Sequence, residues 1–375
     1  MRTVYSAGAG IRTSVVRSAA FVKSIEVAGD AYQVGRGLGE AAARAIRETV
    51  VNVERYRALK RDWSGSDRLM ALLSAARQAY PEFLREIEGI AHGAGVDFDD
   101  IFLWNCRGDF PGGGDQSHAE AAGCSTVMIP ASGETPAVIA HNEDDQAELD
   151  GQCFLVRVRP EHGIGFTSFY SPGLLPGHTF AVNDAGLVQT INHIRPHDQI
   201  SGIPRHIIAR AVLASTDLDG ALAILSRPDR ASGFHHNLGQ AGCEQLLSVE
   251  APASLCVVHH VVDAAVHTNH LVFPECADIA QEVSDSSASR QRRAEALISD
   301  GALEGRDCSV ILGDHADANL PICRKRRGGT DSGYTLATAV FQVARDRVVW
   351  RVHSHPLEPP EFNGIQRPEC ILNGA

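Results

Sequence analysis

The first residue with a clear capacity for covalent chemistry is Cys124. It stands in Ala122-Gly123-Cys124-Ser125-Thr126, between a glycine-rich polar run at 111–118 and the apolar residues Val127-Met128-Ile129. Read plainly, it is a small apolar residue opening a buried strand. The chemical reading is self-cleavage: a strained loop presents the Gly123–Cys124 peptide, the thiol attacks the preceding carbonyl, and water hydrolyses the thioester. Glycine at 123 leaves that carbonyl open to approach and tolerates a strained backbone. The product begins with Cys124, whose own α-amino group, with an unperturbed pKa near ~8, serves as base for its own thiol.

Other constellations carry less. The 17 histidines include the pairs His235/His236, His259/His260, His267/His270 and His353/His355. On a strand such neighbours point to opposite faces or sit wide, and no acidic residue completes a metal set at a usual spacing, so no metal is expected. Gly35-Arg36-Gly37-Leu38-Gly39 resembles a phosphate loop only superficially, because it lacks a preceding strand and the third glycine at the required offset. Thr330-Asp331-Ser332-Gly333 has no partnered His-Asp pattern. Arg107-Gly108-Asp109 is a chance tripeptide, and the basic run Arg324-Lys325-Arg326-Arg327 reads as a solvated loop or a holder of a carboxylate or phosphate.

The 375 residues, 44% apolar and 21% charged, are enough for a full core in one large domain or two. A net charge of −12 argues against a nucleic-acid groove or an anionic membrane surface. Nine cysteines without a CxxC pair fit neither a disulfide framework nor a zinc site, and point to a reducing compartment. No signal-like apolar run opens the chain and no segment approaches the ~18 apolar residues of a membrane span, so a soluble, cytoplasmic protein is expected.

Helices come first. Apolar spacing predicts one helix over Tyr32–Leu59, then Leu69–Ala79, Glu82–Ala94 and a short helix from an Asp97 cap to Trp104. Strands follow at Thr126–Ile129, Ala137–His141, Phe154–Val158, Ile164–Phe169, Phe180–Val182 and Leu187–Ile191, the last two joined by an Asn183-Asp184-Ala185-Gly186 hairpin. Helices return at Pro204–Ala214, Leu218–Leu225 and Ser289–Ser299, and strands at Leu246–Val249, Leu255–Val262, Val266–Asn269, Tyr334–Gln342 and Val348–His353. Elements in blocks rather than strict βα alternation predict an α+β fold of two antiparallel sheets covered by helices.

These segments resemble the isopenicillin N acyltransferase family of N-terminal nucleophile hydrolases, peptidase family C45. Tyr80-Pro81-Glu82 through Ala94 is similar to a helix of the family's first chain, and Asn105-Cys106-Arg107-Gly108-Asp109-Phe110 to its "N-x-R-x-E-F" stretch. Gly123-Cys124-Ser125-Thr126 resembles the cleavage site "G-C-T-T", and His141-Asn142-Glu143-Asp144 the motif "x-N-W-D". Asn183 to Asn192, Gly202-Ile203-Pro204-Arg205-His206-Ile207, Val266-His267-Thr268-Asn269-His270 and Pro321-Ile322-Cys323-Arg324 follow in the family's order. The likeness spans roughly residues 20–355.

The resemblance implies a four-layer αββα sandwich in one globular domain, cut into an N-terminal helical segment (1–123) and a catalytic segment (124–375) that stay together as a heterodimer. It implies Cys124 as nucleophile, cleavage after Gly123, Asn269 as oxyanion donor and Asp144 as a carboxylate orienting the α-amino group. Asn142 and Asn192 match polar residues close by. The family's Trp is Glu143 here, followed by Asp145; facing the pocket, Glu143 would favour an amine-bearing substrate, and facing solvent it would mean nothing. A second family cysteine is Ile129, a Ser-Arg pair aligns with Asp331 and Ser332, and a serine is missing after Glu250, which makes penicillin an unsuitable substrate. The expected activity is hydrolysis of the C–N bond of a small N-acyl or aminoacyl amide through a thioester, without a cofactor. The alternatives are acyl transfer from acyl-coenzyme A through the same thioester and a non-catalytic relative. The sequence leaves open whether two heterodimers pair.

Overall fold

The computed structural model describes residues 22–111, 123–325 and 333–368. It opens on a strand that the sequence did not announce, β1 (Lys23–Gly29), so the first segment is not purely helical. Five helices follow: α1 (Ala31–Ala45), α2 (Glu54–Trp63), α3 (Asp67–Ala79), α4 (Pro81–Ala94) and α5 (Phe98–Asn105). The single helix expected over Tyr32–Leu59 is broken. A π turn at Ile46–Val50 ends α1, and Val53 takes an extended backbone (φ −91°, ψ 154°) before α2 begins. The run Thr49-Val50-Val51-Asn52-Val53 supplies the cause, because β-branched side chains crowd the helical backbone and Asn52 Nδ2 donates to Arg47 O at 2.7 Å.

Among the described residues, two sheets make up the β structure. One has eight strands in the order β1-β4-β5-β6-β7-β8-β9-β10, comprising β4 (Phe154–Pro160), β5 (Phe166–Tyr170), β6 (Phe180–Asn183), β7 (Leu187–His193), β8 (Phe234–Gln240), β9 (Leu247–Glu250) and β10 (Val257–His260) beside β1. The other has six, in the order β11-β2-β3-β12-β13-β14: β11 (Ala265–His267), β2 (Gly123–Ile129), β3 (Ala137–Gln146), β12 (Gly333–Val343), β13 (Val348–His353) and β14 (Phe362–Gln366). All neighbours are antiparallel except β1 and β4, which run parallel and join the first segment to the second. β8 escaped the sequence reading because Phe-His-His-Asn-Leu-Gly-Gln lacks apolar alternation, yet all but its last residue is buried.

Helices α6 (Arg205–Leu213), α7 (Leu218–Leu225), α8 (Asp285–Ser299) and α9 (Ser309–Leu312) complete the α-helices among the described residues. One core joins α1, α4, α6 and α7 to the eight-stranded sheet through Leu38, Ile87, Val212 and Val156. A second lies between the sheets, where Phe169, Phe180 and Val188 meet Met128, Ile139 and Phe341. The third joins the six-stranded sheet to α8 and α9 through Val127, Val138, Ala294 and Ile311. Among the described residues no helix is long and apolar enough to cross a membrane.

The glycine run at 35–39 has a packing purpose. A strand does precede it, contrary to the expectation, but Gly35 and Gly39 face α4 and Gly37 faces Val27 of β1 rather than a ligand. A Cβ on Gly35 would stand 1.9 Å from Glu86 O and one on Gly39 2.2 Å from Ile90 O, while Gly89 of α4 meets Tyr32 O at 2.2 Å. Alanine at Gly35 or Gly89 should therefore cost about 1–3 kcal/mol by forcing the helices apart. Urea titration checks this against Gly305→Ala, where a Cβ meets nothing within 4 Å; equal midpoints for all three variants would refute the packing account.

Candidate active site

The site is built on the pairing of β2 with β3. Gly123 lies opposite Asp144, Cys124 opposite Glu143, Ser125 opposite Asn142 and Thr126 opposite His141. Side chains alternate along a strand, so one set faces the eight-stranded sheet and the other faces α8 and α9. Cys124, Thr126, His141 and Glu143 share the face of Met128 and Ile139, between the sheets. Ser125, Asn142 and Asp144 share the face of Val127 and Ala140, toward the helices. The glycine-rich run before Cys124 lies, from residue 112 on, outside the described residues. Gly123 itself is ordinary strand and not in the left-handed region, so its glycine answers to space. A Cβ there would approach Arg290 Nη2 at 2.9 Å, Asn269 Oδ1 at 3.0 Å and Arg324 Nη1 at 3.1 Å.

On the inter-sheet face, the Cys124 thiol lies 3.6 Å from Glu143 Oε2, and the same oxygen lies 3.2 Å from His141 Nε2. His141 Nδ1 is 2.8 Å from Thr126 Oγ1, which donates to Asn192 Oδ1 at 2.8 Å. Asn192 is fixed in turn by a bond from its Nδ2 to His267 O at 3.1 Å and by Asn237 Nδ2, 2.9 Å from its Oδ1. With the Thr126 proton committed to Asn192, His141 donates from Nδ1, and its bare Nε2 faces a carboxyl oxygen. One proton must lie between them. Burial, with Asp145 and Asp144 nearby, pushes Glu143 well above the carboxylate range, and burial pushes His141 down to about 3, so the proton resides on Glu143. Burial above all, with the acidic groups of Glu143 and Asp144 beside it, also raises the Cys124 thiol well above its ordinary value, against a main-chain bond from His193 and the charge of Arg290.

On the peptide itself, the Cys124 N–H donates to Asn269 Oδ1 at 3.0 Å. Arg290, 1% exposed, donates from Nη2 to the same Oδ1 at 2.6 Å and from Nη1 to Cys124 O at 2.7 Å and Ser125 Oγ at 2.8 Å. Because both groups on Oδ1 are donors, the amide orientation is forced. Asn269 Nδ2 is left buried without a hydrogen-bond acceptor among the described residues. Arg324 Nη1 lies 3.6 Å from Asp144 Oδ2, both side chains buried.

The structure thus brings Cys124, Glu143 and Asn269 together around one peptide, with Asp144 behind the strand. Glu143 faces the thiol, not solvent. Asn192 orients His141 through Thr126. Asn142 stands apart from the thiol: its Nδ2 donates to Leu312 O at 2.8 Å and its Oδ1 accepts from Thr338 at 2.6 Å, tying β3 to α9 and β12. That placement argues against the substrate or oxyanion role expected of it. His141 and Thr126 were missed, although strand alternation puts His141 on the face of Glu143. Arg290 left no such signal, since it reaches Cys124 from α8. Against the expectation of no metal, ligand atoms of Cys124, His141 and Glu143 lie within 4.8 Å of one another.

A sequence model of the family described as acyl-coenzyme A:6-aminopenicillanic acid acyl-transferase matches residues 131–356. The chain is also similar to the beta-alanyl-dopamine/carcinine hydrolase of Drosophila melanogaster, 30% identical over 218 residues that cover 52% of this chain and 55% of that protein. It therefore spans about half the length of that relative. It is 28% identical over 313 residues to the 40 kDa form of the acyl-coenzyme A:6-aminopenicillanic-acid-acyltransferase of Emericella nidulans, covering 78% of this chain and 81% of that one. These relatives are a hydrolase and an acyltransferase.

Acid should destabilise this interior. Burial holds His141, His178 and His236 near about 3, and His193, His206 and His235 well below the ordinary value. The folded state keeps them neutral while the unfolded chain takes up protons below about pH 6.5, so stability falls as pH drops through that value. Each such histidine costs up to about 1.4 kcal/mol per pH unit. Glu143 has the opposite sign: held protonated when folded, it costs stability as pH rises above about 4.5. The histidines outnumber it. Melting temperature should drop steeply between about pH 7 and pH 5; a flat profile would contradict neutral buried histidines.

Proposed function

The chain belongs to the acyl-coenzyme A:6-aminopenicillanic acid acyl-transferase family, a family of enzymes, and from that premise we propose that it is a self-processing cysteine amidase. The Cys124 thiol adds to the Gly123 carbonyl, the peptide nitrogen leaves as the α-amino group of Cys124, and water hydrolyses the thioester. Segments 1–123 and 124–375 remain a heterodimer, a reading supported by the parallel pairing of β1 with β4. The three cores support a four-layer αββα sandwich of the N-terminal nucleophile hydrolase type.

In the processed enzyme the freed α-amino group stands where the peptide N–H stood, held by Asn269 Oδ1, and takes the thiol proton. The thiolate adds to the substrate amide carbonyl. Asn269 Nδ2 donates to the oxyanion, the ammonium protonates the departing amine, and water releases the acid from the thioester. The observation that carries this reading is the Asn269 carboxamide, which holds the Cys124 N–H with its oxygen and keeps its own N–H buried and unsatisfied. A buried donor without a partner costs about 1–3 kcal/mol, a cost that an arriving oxyanion removes. The raised thiol pKa of the intact chain supports a precursor that stays inert toward substrates until its amine is freed.

The substrate class is a small amide with an amine-bearing acyl group. Glu143 beside the thiol, protonated while the site is empty, would give up its proton to face an arriving ammonium, with Asp145 following it, and the hydrolase relative acts on β-alanyl-dopamine and carcinine. Acyl transfer through the same thioester is the second reading, favoured by the name of the longer-matching relative. A panel of β-alanyl amines with and without acyl-coenzyme A separates the two.

The purified chain should yield fragments of roughly 13 and roughly 27 kDa on a denaturing gel, scaled from 40.2 kDa. Cys124→Ala should stay whole, and a single full-length band in both would sink self-processing. Asn269→Ala, assayed on processed material, should lower kcat by about 10²–10³ with little change in KM; a variant that keeps its kcat would remove Asn269 from the oxyanion role.

A further inference from the structure

Glu143 Oε2 lies 3.6 Å from Cys124 Sγ and 3.2 Å from His141 Nε2, and all three residues are buried. A tetrahedral ion bonded at about 2.3 Å to sulfur and about 2.0–2.2 Å to nitrogen and oxygen spaces such ligands about 3.4–3.6 Å apart. The sulfur–oxygen and nitrogen–oxygen separations fall within a few tenths of an ångström of that, and all three ligand atoms lie within 4.8 Å of one another. The outer shell is in place too: Thr126, fixed by Asn192 and Asn237, holds His141 Nδ1 so that the lone pair of Nε2 is the one aimed inward. A thiolate and a carboxylate also neutralise a divalent cation, so the occupied site adds no net charge to the interior.

We propose that Cys124, His141 and Glu143 form a three-ligand site for a zinc-class divalent cation, which holds the nucleophile as a metal thiolate and withdraws it from amide chemistry. Binding forms three bonds to the ion and releases the thiol and carboxyl protons to solvent; nothing is oxidised or reduced. Thiolate and imidazole select Zn²⁺ or Co²⁺ over Mg²⁺ and Ca²⁺. No spacing motif betrays the set, because its ligands come from two paired strands. The site itself rests on ligand geometry, while its effect on amide chemistry rests on the amidase reading.

The test titrates chelator-stripped full chain with Co²⁺. One equivalent should bind with a thiolate-to-cobalt charge-transfer band in the near ultraviolet, displaced by Zn²⁺ and indifferent to Mg²⁺. Cys124→Ala should abolish the band, and His141→Ala and Glu143→Gln should each weaken binding by at least about tenfold. Glu143→Gln keeps the shape and neutrality of the protonated side chain, and a melting curve confirms its fold. Cys323, 3.6 Å from His355 Nε2, is the competing thiol–imidazole pair, and Cys323→Ser should leave the band unchanged. No band in the parent, a band that survives Cys124→Ala, or affinities unmoved in both other variants would overturn the site. Cobalt binding without chain scission would uphold the site while removing the amidase reading; scission without cobalt binding would do the reverse.

Discussion

The register between β2 and β3 is the constraint on which the site depends. With Cys124 opposite Glu143, the thiol, its carboxyl neighbour and His141 all face the second sheet. A slip of one residue would turn Cys124 toward α8 and bring Ser125 to the thiol's place. Both faces of β2 are buried along all seven residues, so a slip would misplace apolar side chains on each side at once. Arg290 adds a polar lock, gripping the Cys124 carbonyl and the Ser125 hydroxyl from the helix side.

That register also separates two electrostatic regimes. Between the sheets the network is neutral, running from Glu143 through His141 and Thr126 to Asn192 and Asn237, with a single proton on the Glu143–His141 contact. On the helix side the groups are charged, with Arg290, Arg324 and Asp144 buried together. The Cys124 backbone joins them, its N–H on Asn269 and its carbonyl on Arg290. In a low-dielectric interior such groups hold their geometry tightly, because any displaced member would be left unsatisfied. The same rigidity gives a peptide bond or an arriving amide a fixed set of donors.

The end of the first segment is anchored by similar means. Asp109 is fully buried and accepts from the Arg205 main-chain N–H at 3.1 Å and from the Ser232 hydroxyl. Gly108 packs on the Arg205 guanidinium, where a Cβ would fall 1.7 Å from Nη2. Arg107 lies 4.6 Å from the Trp104 ring centroid and bonds His206 Nε2 at 3.1 Å. The Arg-Gly-Asp tripeptide is therefore interior structure, and it holds the chain in place immediately before the run that leads to Cys124.

Periodicity and residue type were sufficient for the α+β class, for α3, α4, α7 and most strands, and for singling out Cys124 after Gly123, while its polar companions came from the family resemblance. These features are local: the period of a strand or helix is written in neighbouring residues. Helical period also ran straight through Thr49–Val53, where β-branched crowding breaks the helix, and polar β8 showed no strand period at all. Only the tertiary structure decided which face of β3 meets the nucleophile, so that Glu143 belongs to the thiol and Asn142 to α9. It also supplied Arg290, and it turned Gly35 and Gly39 of α1 toward α4. Alternation tells which residues share a face, but the partner of that face arrives from far along the chain, and its approach is fixed by packing rather than by any local pattern.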